Sequence, residues 1–326
     1  VSEVSVAILR LFRDAGDGFV SGECVSRELQ VSRTAVWKHI NGLRQSGYVI
    51  EAVPSRGYRL ISSPDILSSD EILDRLVSSR IGRHLVCLGT TASTNADAFR
   101  LAEEGAEEGT VVVADGQSAG KGRRGRVWTS PQGVNLYCSV VLRPDILPHE
   151  APQLTFLSAV AVVRAISQES GLTAEIKWPN DVLLQGKKVA GLLNEMSAET
   201  DGINFVILGI GVNLNMSRDQ FPDDLRAPAT SLQLERGMPV QRARFAALLL
   251  NELDRLYADF LRHGFGPVRE EWQRCCNAAG REVVVSDQGR DIVKGMFDGI
   301  DGDGALLLRL QNGKQERIVA GDVKVI

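Results

Sequence analysis

Three short segments of this 326-residue chain carry side chains able to do chemistry on anions. The densest runs Gln117-Ser118-Ala119-Gly120-Lys121-Gly122-Arg123-Arg124-Gly125-Arg126-Val127-Trp128. It places four cationic side chains and three glycines between Gly120 and Arg126. Glycine lets a backbone bend and approach a ligand closely. Like charges this close repel one another and keep an unbound loop mobile, and a polyanion would neutralise and order it. The spacing is that of neither a P-loop nor a Rossmann fingerprint. Composition alone leaves two readings open, an anion cradle or a solvated basic loop.

The second segment is Lys177-Trp178-Pro179-Asn180-Asp181, followed by Gly186-Lys187-Lys188-Val189-Ala190-Gly191. Pro179 breaks a strand, so Asn180 and Asp181 sit at a bend where polar groups can converge. An aspartate beside nucleotide phosphates can hold Mg2+ directly or through water. Lys188 starts the returning strand and could place a point charge at the same bend, although a plain hairpin also fits these residues. The third segment, Ser93-Thr94-Asn95, lies between a strand and a helix and offers donors, acceptors and free helix N–H groups. By itself it reads as ordinary capping.

The elements that would position these segments alternate irregularly. Strands are expected at 85–88, 110–114, 136–142, 174–178, 182–184, 189–196 and 205–213. A helix is expected from Asn95 to Glu104, with Thr94 as N-cap and Gly105 just past its end. A long apolar helix is expected at 153–169, a long amphipathic one at 240–263, and a shorter helix at 267–276. A further short helix, capped by Ser68-Ser69-Asp70-Glu71, is expected to end near Arg80. Mixed hairpins and helices imply an α+β layer instead of a doubly wound sheet. After Gly280, five short strands are separated by turns at Asp287-Gln288-Gly289, 301–304 and Asn312-Gly313, which suggests a small β-barrel.

Residues 1–62 read as three helices and a hairpin. Ser32 caps a helix over 33–45 whose Val36, Ile40 and Leu43 form the buried stripe. That leaves Arg33, Thr34, Trp37, Lys38, Asn41 and Arg44 outside. The hairpin 49–61 carries Arg56 at its tip. Between Arg27 and Arg59 there are six basic and two acidic residues, a local excess of four charges in a chain of net charge −4. This pattern is that of a winged helix-turn-helix, with the third helix entering the major groove and Arg56 reaching the backbone or minor groove. A three-helix domain with a solvated charged face is the plainer alternative. Ser62-Ser63-Pro64-Asp65 reads as a linker.

The whole-chain balance, 44% hydrophobic and 24% charged, is that of a soluble globular protein. No apolar run reaches the roughly 18 residues a membrane span needs, and the first residues lack a secretory signal's basic region. Five scattered cysteines suit the reducing cytoplasm better than a disulfide framework.

Taken together, the basic loop, Ser93-Thr94-Asn95, Lys177-Trp178-Pro179-Asn180-Asp181, Lys188-Val189-Ala190-Gly191 and Gly209-Ile210-Gly211-Val212-Asn213 resemble the biotin–protein ligase family. The likeness covers almost the whole chain and looks like the bifunctional form, a ligase that is also the biotin operon repressor. It implies an α+β multidomain fold: a winged helix-turn-helix over 1–63, a class II synthetase-like catalytic domain with a mixed sheet over 64–278, and a small SH3-like β-barrel over 279–326. It also implies that biotin and ATP form biotinyl-5′-AMP and that a lysine of the biotin carboxyl carrier protein of acetyl-CoA carboxylase receives the biotin.

By the same resemblance, Ser93, Thr94, Asn95, Gln117, Lys121, Gly122, Arg123 and Lys188 would bind biotin. Arg123, Arg126, Trp128, Lys177, Asn180, Asp181 and Asn213 would serve ATP, with Asp181 toward Mg2+. Lys188, Arg123 and Asp181 would act in catalysis. Arg33, Thr34, Trp37, Lys38, Asn41 and Arg56 would meet operator DNA, and the adenylated form would dimerise. Lys121 stands where the family usually has the loop's first arginine, which keeps the charge and loses bidentate geometry. The alternatives are a ligase whose winged helix does not repress, a ligand-sensing transcription factor without ligase activity, and a lipoate ligase of the same fold.

Overall fold

The computed structural model describes residues 3–199, 202–287 and 290–326. They fall into two compact units, Val1–Arg75 and Leu76–Ile326.

The first unit contains α1 (Glu3–Asp14), α2 (Gly22–Glu28), α3 (Arg33–Gln45), β1 (Val49–Val53), β2 (Gly57–Ser62) and α4 (Ser69–Leu73). Ser21 and Ser32 cap α2 and α3 by accepting from the backbone N–H of Cys24 and Ala35 at 3.0 and 3.1 Å. Such caps satisfy orphan donors and contribute about 1 kcal/mol each. Ile8, Phe12, Val25, Val36, Ile40 and Leu43 close the core. A bridge between Val20 and Tyr58 ties the chain before α2 to the hairpin. It runs so close that a Cβ on Gly57 would meet the Val20 carbonyl oxygen at 2.2 Å.

The short helix α4 ends at Leu73, earlier than the expected end near Arg80. Its Glu71 explains why it belongs to this unit. The carboxylate is buried and accepts from Tyr48 and from Arg13, with Arg75 alongside. Burial would push the Glu71 carboxyl up, yet these donors hold it below its usual range.

In the second unit a seven-stranded mixed sheet has the order β3-β4-β5-β9-β8-β7-β6. These strands are β3 (Leu85–Thr91), β4 (Val111–Gln117), β5 (Leu136–Leu142), β6 (Glu175–Lys177), β7 (Asp181–Leu184), β8 (Lys187–Ala198) and β9 (Ile203–Val212). Only β3 and β4 run parallel; the other neighbours are antiparallel. Every residue of β5 is buried, so the sheet is covered on both faces at this inner strand.

The helix α5 (Thr94–Glu103) packs Ala98 and Ala102 against Val112, Val141 and Ile207. It starts one residue earlier than expected: Ser93 takes the N-cap position that the sequence assigned to Thr94, and it makes no side-chain capping bond. Beyond it lie α6 (Gln153–Ser170), the short α7 (Leu232–Arg236), α8 (Arg242–His263) and α9 (Gly266–Cys275). Arg242, buried, pairs with Asp115 of β4 at 2.5 Å.

The C-terminal strands β10 (Glu282–Asp287), β11 (Arg290–Ile300), β12 (Leu306–Arg309), β13 (Gln315–Ile318) and β14 (Asp322–Val325) form an antiparallel sheet ordered β13-β12-β11-β10-β14. Apart from Asp287, the expected turn Asp287-Gln288-Gly289 lies outside the described residues. The 301–304 turn reaches back to the turn after β6 and to the start of α6: Trp178 Nε1 donates to the Gly304 carbonyl at 3.1 Å, and Gln153 Nε2 to that of Gly302 at 2.9 Å.

Candidate active site

All three chemistry-bearing segments line one cavity of about 510 Å3 at the ends of β4, β7, β8 and β9. This volume suits a ligand of drug-like size.

One end of the cavity is lined by neutral side chains held in hydrogen bonds. Ser93, Thr94 and Asn95 are all buried at the start of α5. The Thr94 backbone N–H and hydroxyl both donate to Gln117 Oε1, at 2.9 and 3.2 Å. Gln117 Nε2 donates to Ser130 Oγ at 3.0 Å, and Ser130 donates to the Trp128 carbonyl at 2.9 Å. Asn95 donates to Glu195 at 2.7 Å and to the Leu193 carbonyl at 3.1 Å, while its oxygen accepts from Ser139 at 2.6 Å. Buried polar groups fully engaged in this way fix a unique arrangement. Sequence reasoning missed Ser130, Ser139 and Glu195. Ser139 left one signal, a lone polar residue within the apolar strand β5.

The other end carries charge. Lys188 Nζ lies 2.6 Å from Asp181 Oδ1 and 5.3 Å from the centre of the Trp128 ring. Asp181 opens β7 and Lys188 follows the first residue of β8, so the turn between these strands brings them together. Asn180 donates to the Leu192 carbonyl at 2.7 Å and accepts from Arg123 at 3.1 Å. Burial and the neighbouring Arg124 shift Arg123 below its usual range, although Asp322 and Asp181 favour its charge.

The ring of Trp128 rests on paired glycines. A Cβ on Gly191 would meet it at 2.9 Å and one on Gly211 at 2.6 Å. These residues face each other across β8 and β9. The indole N–H is buried with no protein acceptor among the described residues. Asn213 is buried and donates to the Thr230 carbonyl at 3.1 Å. Lys121 and Lys177 also line the cavity.

The loop itself is a closed excursion. Trp128 N–H donates to the Gly120 carbonyl at 2.9 Å, and Gly122 N–H to that of Arg126 at 2.7 Å. A single 3-10 turn over Arg123–Gly125 holds its tip, where Arg124 and Gly125 have φ of 56° and 73°. Glycine adopts such values freely and arginine does not.

In the first unit, α3 exposes Arg33, Thr34, Trp37 and Lys38, with Asn41 half-buried. Trp37 is 58% exposed, unusual for so large an apolar side chain. Arg33 pairs with Glu23 at 2.7 Å, Arg44 donates to the Ile50 carbonyl at 2.7 Å, and Arg56 lies 4.3 Å from the centre of the Phe19 ring.

Comparison with known proteins agrees with this arrangement. Residues 6–59 match a helix-turn-helix domain, 88–213 the biotin/lipoate A/B protein ligase family, and 279–325 the biotin protein ligase C-terminal domain. The chain is 43% identical to the bifunctional ligase/repressor BirA of Bacillus spizizenii, over 98% of this chain and 97% of that one. It is 41% identical to the biotin--[acetyl-CoA-carboxylase] ligase of Paracoccus denitrificans, over 70% of this chain and 95% of that one. Among solved structures, the biotin protein ligase from Aquifex aeolicus in complex with biotin and ATP superimposes with a TM-score of 0.63 at 29% identity, covering 75% of this chain and 99% of that one. The helix-turn-helix unit, the seven-stranded catalytic sheet and the C-terminal sheet thus place this chain in the biotin protein ligase family, among the members that carry a DNA-binding domain ahead of the ligase.

Proposed function

We propose that the protein activates biotin with ATP and transfers it to a lysine of the biotin carboxyl carrier protein of acetyl-CoA carboxylase, and that its first unit represses biotin genes. The observation that carries the ligase reading is one cavity with a neutral hydrogen-bonding floor at one end and Lys188, Asp181 and Arg123 at the other.

In the first step a carboxylate oxygen of biotin attacks the α-phosphorus of ATP and pyrophosphate leaves. Two anions must approach, so fixed cations lower the barrier. Ser93, Thr94, Asn95 and Gln117 would hold the neutral ring. Lys188 would neutralise charge at the reacting oxygens, with Arg123 and Lys121 closing from the loop and Gly122 allowing close approach. Arg126, Lys177, Asn180 and Asn213 would serve the nucleotide. In the second step a lysine amine of the carrier attacks the acyl carbon of biotinyl-5′-AMP, AMP leaves, and the amine loses a proton. The indole of Trp128 would cover the mixed anhydride and exclude water.

Asp181 is the carboxylate that a magnesium ion accompanying ATP would meet. No cluster of three metal-ligating side chains occurs among the described residues. That fits an ion held mainly by phosphate oxygens and water, which would supply charge neutralisation at the phosphates.

The C-terminal sheet is read as an SH3-like barrel, supported by its five antiparallel strands and the register shift within the long β11 near Phe297. The catalytic sheet is read as class II synthetase-like. The adenylated protein is read as a homodimer, with loop ordering completing an interface. The cytoplasm suits five free cysteines, and no helix among the described residues is long and apolar enough to cross a membrane.

Mass spectrometry of a carrier domain incubated with the protein, biotin and Mg-ATP should show one added biotin. Absence of biotin-dependent pyrophosphate release would overturn the ligase reading, and preference for lipoate would change its substrate. For the repressor, DNA upstream of biotin genes should shift when biotin and ATP are present, less so as salt rises.

A further inference from the structure

The C-terminal strands contribute to the cavity wall. Asp322, the first residue of β14, lines the cavity beside Val323, and its carboxylate accepts from Arg126 Nη2 at 2.6 Å. Arg124 pairs with Asp287, the last residue of β10. The strands β10 and β14 are neighbours, with Ser286 opposite Asp322. Two carboxylates on adjoining strands therefore meet two of the loop's three guanidinium groups. The third, Arg123, makes no carboxylate pair within 4.0 Å among the described residues and reaches Asn180 instead.

A guanidinium presents the same fork to a carboxylate as to a phosphate. A nucleotide entering beside Arg123 would therefore find Arg126 already engaged. We propose that Asp322 is a latch: it holds Arg126 in competition with nucleotide phosphates, which displace it when nucleotide binds. Asp287 tethers Arg124 beside it. This inference rests on the ligase reading for the identity of the displacing anion.

Three features favour an exchangeable contact over a structural one. The side chains of Arg126 and Asp322 are 66% and 41% exposed, so the pair is weak and screened by salt. A triphosphate carries several negative charges where Asp322 carries one, so exchange favours the nucleotide. Asp322 is also ready to compete at neutral pH: burial opposes its ionisation, yet Arg126, Arg124 and Arg123 together hold its carboxyl below the usual range.

The test uses the full chain with Asp322→Asn. Without ligand, trypsin should cut between Lys121 and Arg126 about two- to five-fold faster than in the parent protein, the scale of an exposed ion pair. The ATP concentration that half-protects the loop should fall by a similar factor, as should the KM for ATP in biotin-dependent pyrophosphate release, with kcat unchanged. Asp322→Glu should restore the parent values. Asp298→Asn, which removes a partner of Arg309 elsewhere in the same sheet, should change none of them. An unchanged cutting rate, or an unchanged or raised requirement for ATP, overturns the latch. If the parent protein released no pyrophosphate, the ligase reading would fall, while cutting and ATP protection would still decide whether Asp322 competes with phosphate.

Discussion

On the sheet side of the cavity, Thr94, Asn95, Lys188 and Asp181 stand on strands or at a helix start, and each has a close partner on another element. On the loop side, Arg123, Arg124 and Arg126 stand on an excursion closed by a few backbone bonds, and their partners are Asn180 and two carboxylates of the C-terminal strands. The sheet side combines buried hydrogen bonds at Thr94 and Asn95 with the partly buried ion pair of Lys188 and Asp181, all between elements fixed by the sheet. The loop side is built from half-exposed charge pairs, individually worth about 0–1 kcal/mol. Orientation can therefore be set in advance by the sheet, while the loop keeps the freedom to admit and release substrate.

The sharpest way to break this contrast is to remove the sheet's own charge. Lys188→Ala should lower kcat for biotin-dependent pyrophosphate release by about 10²–10³, the range seen when one preorganised donor is lost. A drop below tenfold would mean that the loop supplies most of the charge stabilisation.

Rigidity of the floor is tested by Gly209→Ala. Its Cβ would stand 2.2 Å from Asn95 Oδ1 and 2.7 Å from the Leu193 carbonyl oxygen, so something must move. We expect a loss of about 1–3 kcal/mol in unfolding free energy, together with a raised KM for biotin. Unchanged stability and biotin KM would show that the floor is as adaptable as the loop.

For the loop, Arg123→Ala should raise the KM for ATP about tenfold, the equivalent of one charged hydrogen bond, with thermal stability unchanged. Added salt should narrow the difference from the parent protein. A large fall in melting temperature would mark Arg123 as structural. The smallest effect should come from Lys121→Arg, which adds bidentate geometry: release of biotinyl-5′-AMP should slow by no more than about threefold. Faster release would show that the first cation of the loop does not hold the intermediate.

Much of this arrangement is legible before folding. Apolar periodicity places α3, α6 and α8, because a helix burying one face repeats with its own pitch. The block Lys177 to Asp181 marks its bend through Pro179, which cannot continue a strand's hydrogen bonding. The segment 69–80 misleads because Glu71 looks like a solvated charge, and only its three partners from α1, Tyr48 and Arg75 show why α4 stops short and where it packs. The N-cap of α5 falls one residue before the position the sequence predicts, because serine and threonine are both good caps and stand side by side. Ser139 and Glu195 were missed because their roles depend on strands brought together from distant parts of the chain.

The sequence by itself determined which residues could do the chemistry, since residue type sets charge, donors and backbone freedom: the cationic loop Gly120 to Arg126, the Ser93-Thr94-Asn95 triplet, the bend at Asn180-Asp181 and the lysine at 188. Only the tertiary structure decided how they are partnered. It laid the ring of Trp128 on Gly191 and Gly211, locked Asn95 between Ser139 and Glu195, and set Asp322 against Arg126 across a sequence separation of 196 residues. Pairings of that range depend on sheet order and register, which no local pattern encodes.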